Sequence, residues 1–140
     1  MLTGYARLAR PFFVLLGIVT AGRWLMGTAF AVPYEKGTSV MSIVTLTLFA
    51  SLLSAVFLRR WLGWRLLEAA GFAMFMAVSS QLVVWASTAA SYALGIRSYF
   101  DNPMAIGGQT EPIGFLAAMG FRAVGLVVNT LLNGIAGTLG

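Results

Sequence analysis

The chain contains no cysteine and no histidine. The first absence removes disulfides, thiolate nucleophiles and cysteine-ligated iron–sulfur clusters. The second removes histidine proton relays, the usual haem ligation and the Ser-His-Asp triads of hydrolases. Together they remove most zinc and copper sites. Seven methionines remain as soft ligands, but methionine scattered along apolar helices ordinarily fills gaps in packing. Acids are almost as scarce. Glu35, Glu68, Asp101 and Glu111 are spread along the chain and offer neither a metal cluster nor a paired-carboxylate site. No Walker A sequence, dinucleotide fingerprint or G-x-S-x-G elbow occurs. The sequence therefore assigns no cofactor, metal or catalytic residue, and the chain is read as non-enzymatic.

Charge of either sign is in short supply. Only 9% of the residues are charged and 59% are hydrophobic, with a mean hydropathy of +0.88. A soluble domain carries about a quarter of its residues charged. Nine basic and four acidic side chains cannot cover a core in a chain of 140 residues. The composition predicts an all-α integral membrane protein, a four-transmembrane-helix bundle forming one membrane domain with no soluble domain. The ten-residue alternation of barrel strands is missing, so a β-barrel does not fit. The net charge of +5 and pI near 10.5 reflect basic residues at helix ends, where the lipid bilayer offers anionic headgroups. No basic–aromatic stretch lies in a polar setting, so no nucleic-acid partner is expected.

Four spans are legible, at approximately 11–32, 39–58, 64–94 and 112–136. Pro11 suits the first turn of a helix, where its missing N–H costs nothing. Pro33 and Gly37 break the chain in "VPYEKGT", and Arg59-Arg60 end the second span. The third span exceeds the ~20 residues needed to cross a bilayer, which predicts tilt or protrusion. The longest connection, 95–111, carries the turn signals Asp101-Asn102-Pro103 and Gly107-Gly108 and reads as a surface loop over the bundle mouth. The N-terminal stretch loosely resembles a signal peptide ending in "AFA" at 29–31. Arg23-Trp24 interrupts its apolar run, so it reads as a true first span.

Arg7, Arg10, Arg59, Arg60 and Arg65 fall on one side of these spans. Lys36 and Arg97 fall on the other, offset by Glu35, Asp101 and Glu111. The positive-inside rule then predicts an N-in/C-in protein of the inner or plasma membrane, with cytoplasmic termini. Trp61, Trp64, Tyr5, Tyr34 and Tyr99 sit at span boundaries and read as interfacial residues.

Helices in lipid associate through small residues that let backbones approach. Ala69, Ala73 and Ala77 form such a seam on the third span, Ser51 and Ala55 on the second, and Gly114 and Ala118 on the fourth. These seams serve packing within one chain or between copies.

Two guanidiniums lie deep in this apolar sequence. Arg122 is about ten residues into the fourth span, roughly 15 Å from its outer end at helical rise. Asn129 and Asn133 continue its stripe. Arg23 sits at similar depth in the first span with Thr20 on its face, and Gln81 lies mid-depth in the third. A central arginine costs about 2.5–3.5 kcal/mol on insertion scales. The Leu, Ile, Val and Phe residues of the fourth span return at most roughly 3–7 kcal/mol. The span inserts with little margin, and its arginine must find acceptors. The one intramembrane acid, Glu68, lies near the cytoplasmic end and serves as the candidate counter-ion only if the third span tilts.

Three functions fit this pattern. The leading expectation is a non-catalytic polytopic membrane protein, either self-assembling as a homo-oligomer or an accessory subunit of a membrane complex. Arg23, Thr20, Gln81, Arg122, Asn129 and Asn133 would then be a buried polar cluster. The alternative is a small oligomeric anion channel or transporter selecting through Arg23 and Arg122. A third is recognition of lipid or quinone headgroups.

Overall fold

The computed structural model describes residues 2–140, and all regular structure among them is helical. The elements are α1 (Leu2–Leu8), α2 (Arg10–Thr28), α3 (Tyr34–Val40), α4 (Ile43–Leu62), α5 (Leu66–Leu94), α6 (Pro103–Gly107) and α7 (Phe115–Leu139). Four helices are long and apolar enough to cross a membrane: α2, α4 with α3 leading into it, α5, and α7. This supports a multi-pass membrane protein. At 1.5 Å per residue, α2 and α4 match a hydrocarbon layer of about 30 Å, while α5 and α7 exceed it.

Local chemistry sets the boundaries. Gly63 and Gly95 end α4 and α5 at φ of 66° and 63°, the left-handed conformation that glycine adopts without penalty. The Ser42 hydroxyl caps α4 by accepting from Thr45 N–H. Pro103 opens α6 behind the Asn102 cap, whose side chain accepts from Met104 N–H at 2.9 Å. Some bounds differ from the sequence expectation. The first span stops at Thr28 because the chain unwinds through Ala31, a non-glycine residue at φ 47°. The second long helix starts at Ile43, since a break at Met41 and Ser42 separates it from α3. The fourth starts at Phe115, beyond Pro112.

The bundle has two distinct ends. At the end carrying the termini, α5 and α7 touch almost backbone to backbone. Ala69, Ala73 and Ala77 are completely buried there, and a Cβ on Gly137 would come within 2.8 Å of Ala70 and Ala73. Ser51 and Ala55 bury the facing side of α4. The Ser51 hydroxyl donates to Asn133 Oδ1 at 2.7 Å, tying α4 to α7. Ala118 is buried near the other end of α7, whereas Gly114 is exposed as that helix's N-cap and belongs to no packing seam. Aromatic side chains join α1 and α2 to α5: Tyr5 meets Phe72 edge-on at 5.4 Å and Phe13 meets Phe75 at 6.0 Å.

At the opposite end the loop after α5 turns inward. Ser98, Tyr99 and Phe100 are buried, the last with no exposed surface. The 95–111 connection is thus part plug and part cover, not the surface loop its composition suggests. Tyr99 and Phe100 pack against α2 and α3 because glycines make room. A Cβ on Gly27 would lie 2.8 Å from Tyr99 N, and one on Gly37 would collide with the Tyr99 phenol.

Candidate functional site: a cavity between two arginines

The acceptors for both guanidiniums come from places where helices stop. In an unbroken helix the Met41 carbonyl would accept from Thr45 N–H. That N–H is taken by the Ser42 hydroxyl instead. The freed Met41 carbonyl accepts from Arg23 Nη1 at 2.7 Å. Arg122 reaches three oxygens: Nε donates to Thr88 Oγ1 at 3.1 Å, Nη2 to the Phe100 carbonyl at 3.0 Å and Nη1 to the Ala105 carbonyl at 3.2 Å. Ala105 lies in the last turn of α6, where carbonyls lack helical partners and the dipole favours a cation. Thr88 is itself anchored, with its hydroxyl 2.8 Å from the Val84 carbonyl.

The two arginines differ in what they leave free. A guanidinium has five N–H donors. Arg122 uses all three of its nitrogens on the chain. Arg23 has one hydrogen bond, and its buried Nε has no partner. The Arg23 charge is held mainly by ring faces. Its Cζ lies 5.4 Å from the centroid of Phe100, 5.5 Å from Tyr99 and 5.9 Å from Tyr34. Each such contact contributes about 0.5–2 kcal/mol, more as water is excluded. Tyr99 is fixed in turn by donating to the Val32 carbonyl at 2.8 Å. Burial pushes the Tyr99 phenol above its ordinary pKa, with the Arg23 charge acting in the opposite direction.

Arg23 and Arg122 line one cavity of about 210 Å³. Gln81 and Val84 of α5 form one wall, and Gly125 and Asn129 of α7 another. Tyr34 and Thr38 of α3, Ser42, and Ala105 and Ile106 of α6 cover it at the loop end. No Asp or Glu is among the lining residues. Below this space α4 and α7 are tied by the Ser51–Asn133 hydrogen bond and, at the terminal end, by Arg59 Nη1 donating to the Gly140 carbonyl. Toward the loops, residues of α3 and α6 border the cavity.

The structure brings together Arg23, Gln81, Arg122 and Asn129. It does not bring Thr20, Asn133 or Glu68 to them. The Thr20 hydroxyl is buried without a partner, beside an apolar groove bounded by Phe13, Leu16 and Val83. Asn133 is committed to Ser51 and to the Asn129 carbonyl. Glu68 is exposed at the start of α5, where its carboxylate accepts from Arg65 N–H at 2.7 Å. It caps a helix and is the counter-ion of neither arginine. Tyr34 and Tyr99 place their rings against the Arg23 guanidinium as part of an aromatic cage. Phe100, Thr88 and the Met41 carbonyl also went unnoticed in the sequence. The "SYF" triplet set inside a turn-rich loop signals Phe100, and no local pattern marks Thr88 or the Met41 carbonyl.

The fold and site define an all-helical, multi-pass type of chain with a positively charged internal cavity. No family model matches it, and no curated protein or solved structure shows significant similarity.

Proposed function

We propose that this protein is a membrane-embedded anion-binding protein, a carrier or channel in which Arg23 and Arg122 recognise negative charge. One observation carries the reading: two guanidiniums open onto the same cavity, and no carboxylate lines it. A positive cavity without acids attracts anions and repels cations. Gln81, Asn129 and Ser42 add neutral dipoles that can turn a donor toward a bound anion. On the positive-inside rule we assign the protein to an inner or plasma membrane with cytoplasmic termini, and its loop end and cavity to the outside. Purified protein in liposomes should bind or pass at least one member of a panel of chloride, nitrate and small carboxylates. Arg23→Gln should weaken that response while the helix content is retained. A panel without any response would overturn the reading.

A second reading is favoured by the faces of α4 and α7 that carry Phe49, Leu53, Val124 and Leu131, all exposed. These faces suit either lipid or another subunit, so the protein would be a self-assembling or accessory component of a membrane complex. Gentle extraction followed by mass measurement distinguishes them. A monodisperse single chain in several mild detergents counts against assembly.

A further inference from the structure

We infer that the anion taken by this cavity is the carboxylate head of a single-chain amphiphile that reaches it sideways, between α4 and α7. The inference rests on the anion-binding reading above and adds the ligand's class and its route. Three observations carry it. First, Arg23 is only 7% exposed, lines the cavity, and spends one donor on the protein. Its Nε is enclosed, but its terminal nitrogens keep N–H groups that no chain atom accepts, donors of the kind that carboxylates match. Second, the cavity is larger than a bare halide needs, and apolar side chains make up part of its lining. About 210 Å³ is the volume of roughly seven waters of the liquid. Ile43, Val84 and Ile106 would be wasted on a hydrated ion but suit the first carbons of an aliphatic chain. Third, the rim is apolar. Among the lining residues only Val44 on α4 and Phe121 on α7 are strongly exposed, at 48% and 47%. The polar lining groups are buried (Arg23, Gln81) or half-buried (Tyr34, Thr38, Ser42, Arg122, Asn129). Helical spacing continues each side of this rim as an exposed apolar row, Leu48 below Val44, and Val124 and Val128 below Phe121.

A carboxylate between Arg23 and Arg122 with its tail passing Val44 and Phe121 satisfies all three. The charge meets free donors, the chain stays in apolar surroundings, and the lower rows follow it into the lipid region. The Arg122 bonds to Phe100 and Ala105 remain in place, so binding does not require the loop to move.

The test uses the full chain in nanodiscs of zwitterionic lipid, titrated separately with dodecanoate, dodecyltrimethylammonium and acetate. Dodecanoate should bind, and the cation of equal chain length should not. Arg23→Gln should weaken dodecanoate by about 10- to 100-fold, the worth of one charge-assisted pair. Val44→Trp narrows the rim without touching either arginine. It should weaken dodecanoate far more than acetate. Acetate binding that depends on Arg23, with dodecanoate no better and indifferent to Val44→Trp, would overturn the sideways amphiphile and leave the anion reading standing. Failure of both anions would sink both. Equal binding of the two long-chain probes would show that the tail alone is recognised, and would also overturn the inference.

Discussion

Replacing Gly27 by alanine tests whether the inward loop is as tightly seated as the geometry requires. In the middle of an exposed helix, glycine to alanine stabilises by about 0.5–1 kcal/mol, because alanine loses less backbone freedom on folding. Gly17, on the same helix, has nothing within 4 Å of its hypothetical Cβ and should show that ordinary gain. Gly27 should not. Its Cβ would lie 2.8 Å from Tyr99 N and 2.9 Å from Ser98 Cα. These are backbone atoms and cannot rotate aside. Overpacking of this kind costs about 1–3 kcal/mol. The two alanine variants should therefore differ by roughly 1.5–4 kcal/mol, with opposite signs relative to the parent. The same displacement would pull the Phe100 carbonyl away from Arg122, so loss of stability should be accompanied by easier proteolysis in 96–102. Reversible unfolding in a mild detergent, followed by circular dichroism, measures both variants. A Gly27→Ala protein as stable as Gly17→Ala would refute the buried position of Tyr99.

Three other changes follow from single contacts. Ser51→Ala removes the buried link to Asn133 and should destabilise by about 0.6–1.7 kcal/mol, the range for hydrogen bonds between membrane helices, read from the same unfolding experiment. Ala31→Gly relieves a left-handed backbone at φ 47° and should leave stability unchanged or raise it by up to about 1 kcal/mol, whereas Ala31→Val should lower it. Tyr99 holds its proton more tightly folded than unfolded, so its contribution is complete below the ordinary tyrosine range near pH 10 and is lost as pH rises through the higher folded value. Tyr99→Phe should be less stable than the parent at neutral pH, and its stability should fall less steeply above about pH 10, as followed by unfolding across a pH series.

Much of the architecture could be read directly from residue order. Span length and the small-residue seam at Ala69, Ala73 and Ala77 follow from one-dimensional periodicity, whereas Arg122 lies seven residues inside α7 and Arg23 five residues from the end of α2, nearer the loop end than the expected spans put them. What could not be read was where the guanidiniums find oxygen. Carbonyls are present at every residue, and only the folded chain tells which ones a helix has released. Met41 is free because Ser42 intercepts one amide, a detail of cap geometry invisible in composition. Phe100 meets Arg23 across 77 positions of sequence, so no local pattern links them. Glu68 misled because opposite charge is an easy partner to imagine. Its own helix needed a cap at the position three residues past Arg65, and that nearer demand decided its place. Tyr34 and Tyr99 stand at span boundaries in the sequence, and only the folded loop shows that their rings meet Arg23.

The central claim is that Arg23 offers free donors to an anion inside the bundle. The most direct measurement is nuclear magnetic resonance of the arginine side-chain nitrogens in the nanodisc-embedded protein during titration with dodecanoate. The account predicts a saturable shift of the Arg23 guanidinium resonances, a smaller one for Arg122, and none for exposed Arg60. Arg23 resonances that stay fixed while the ligand reaches saturating concentration would contradict it.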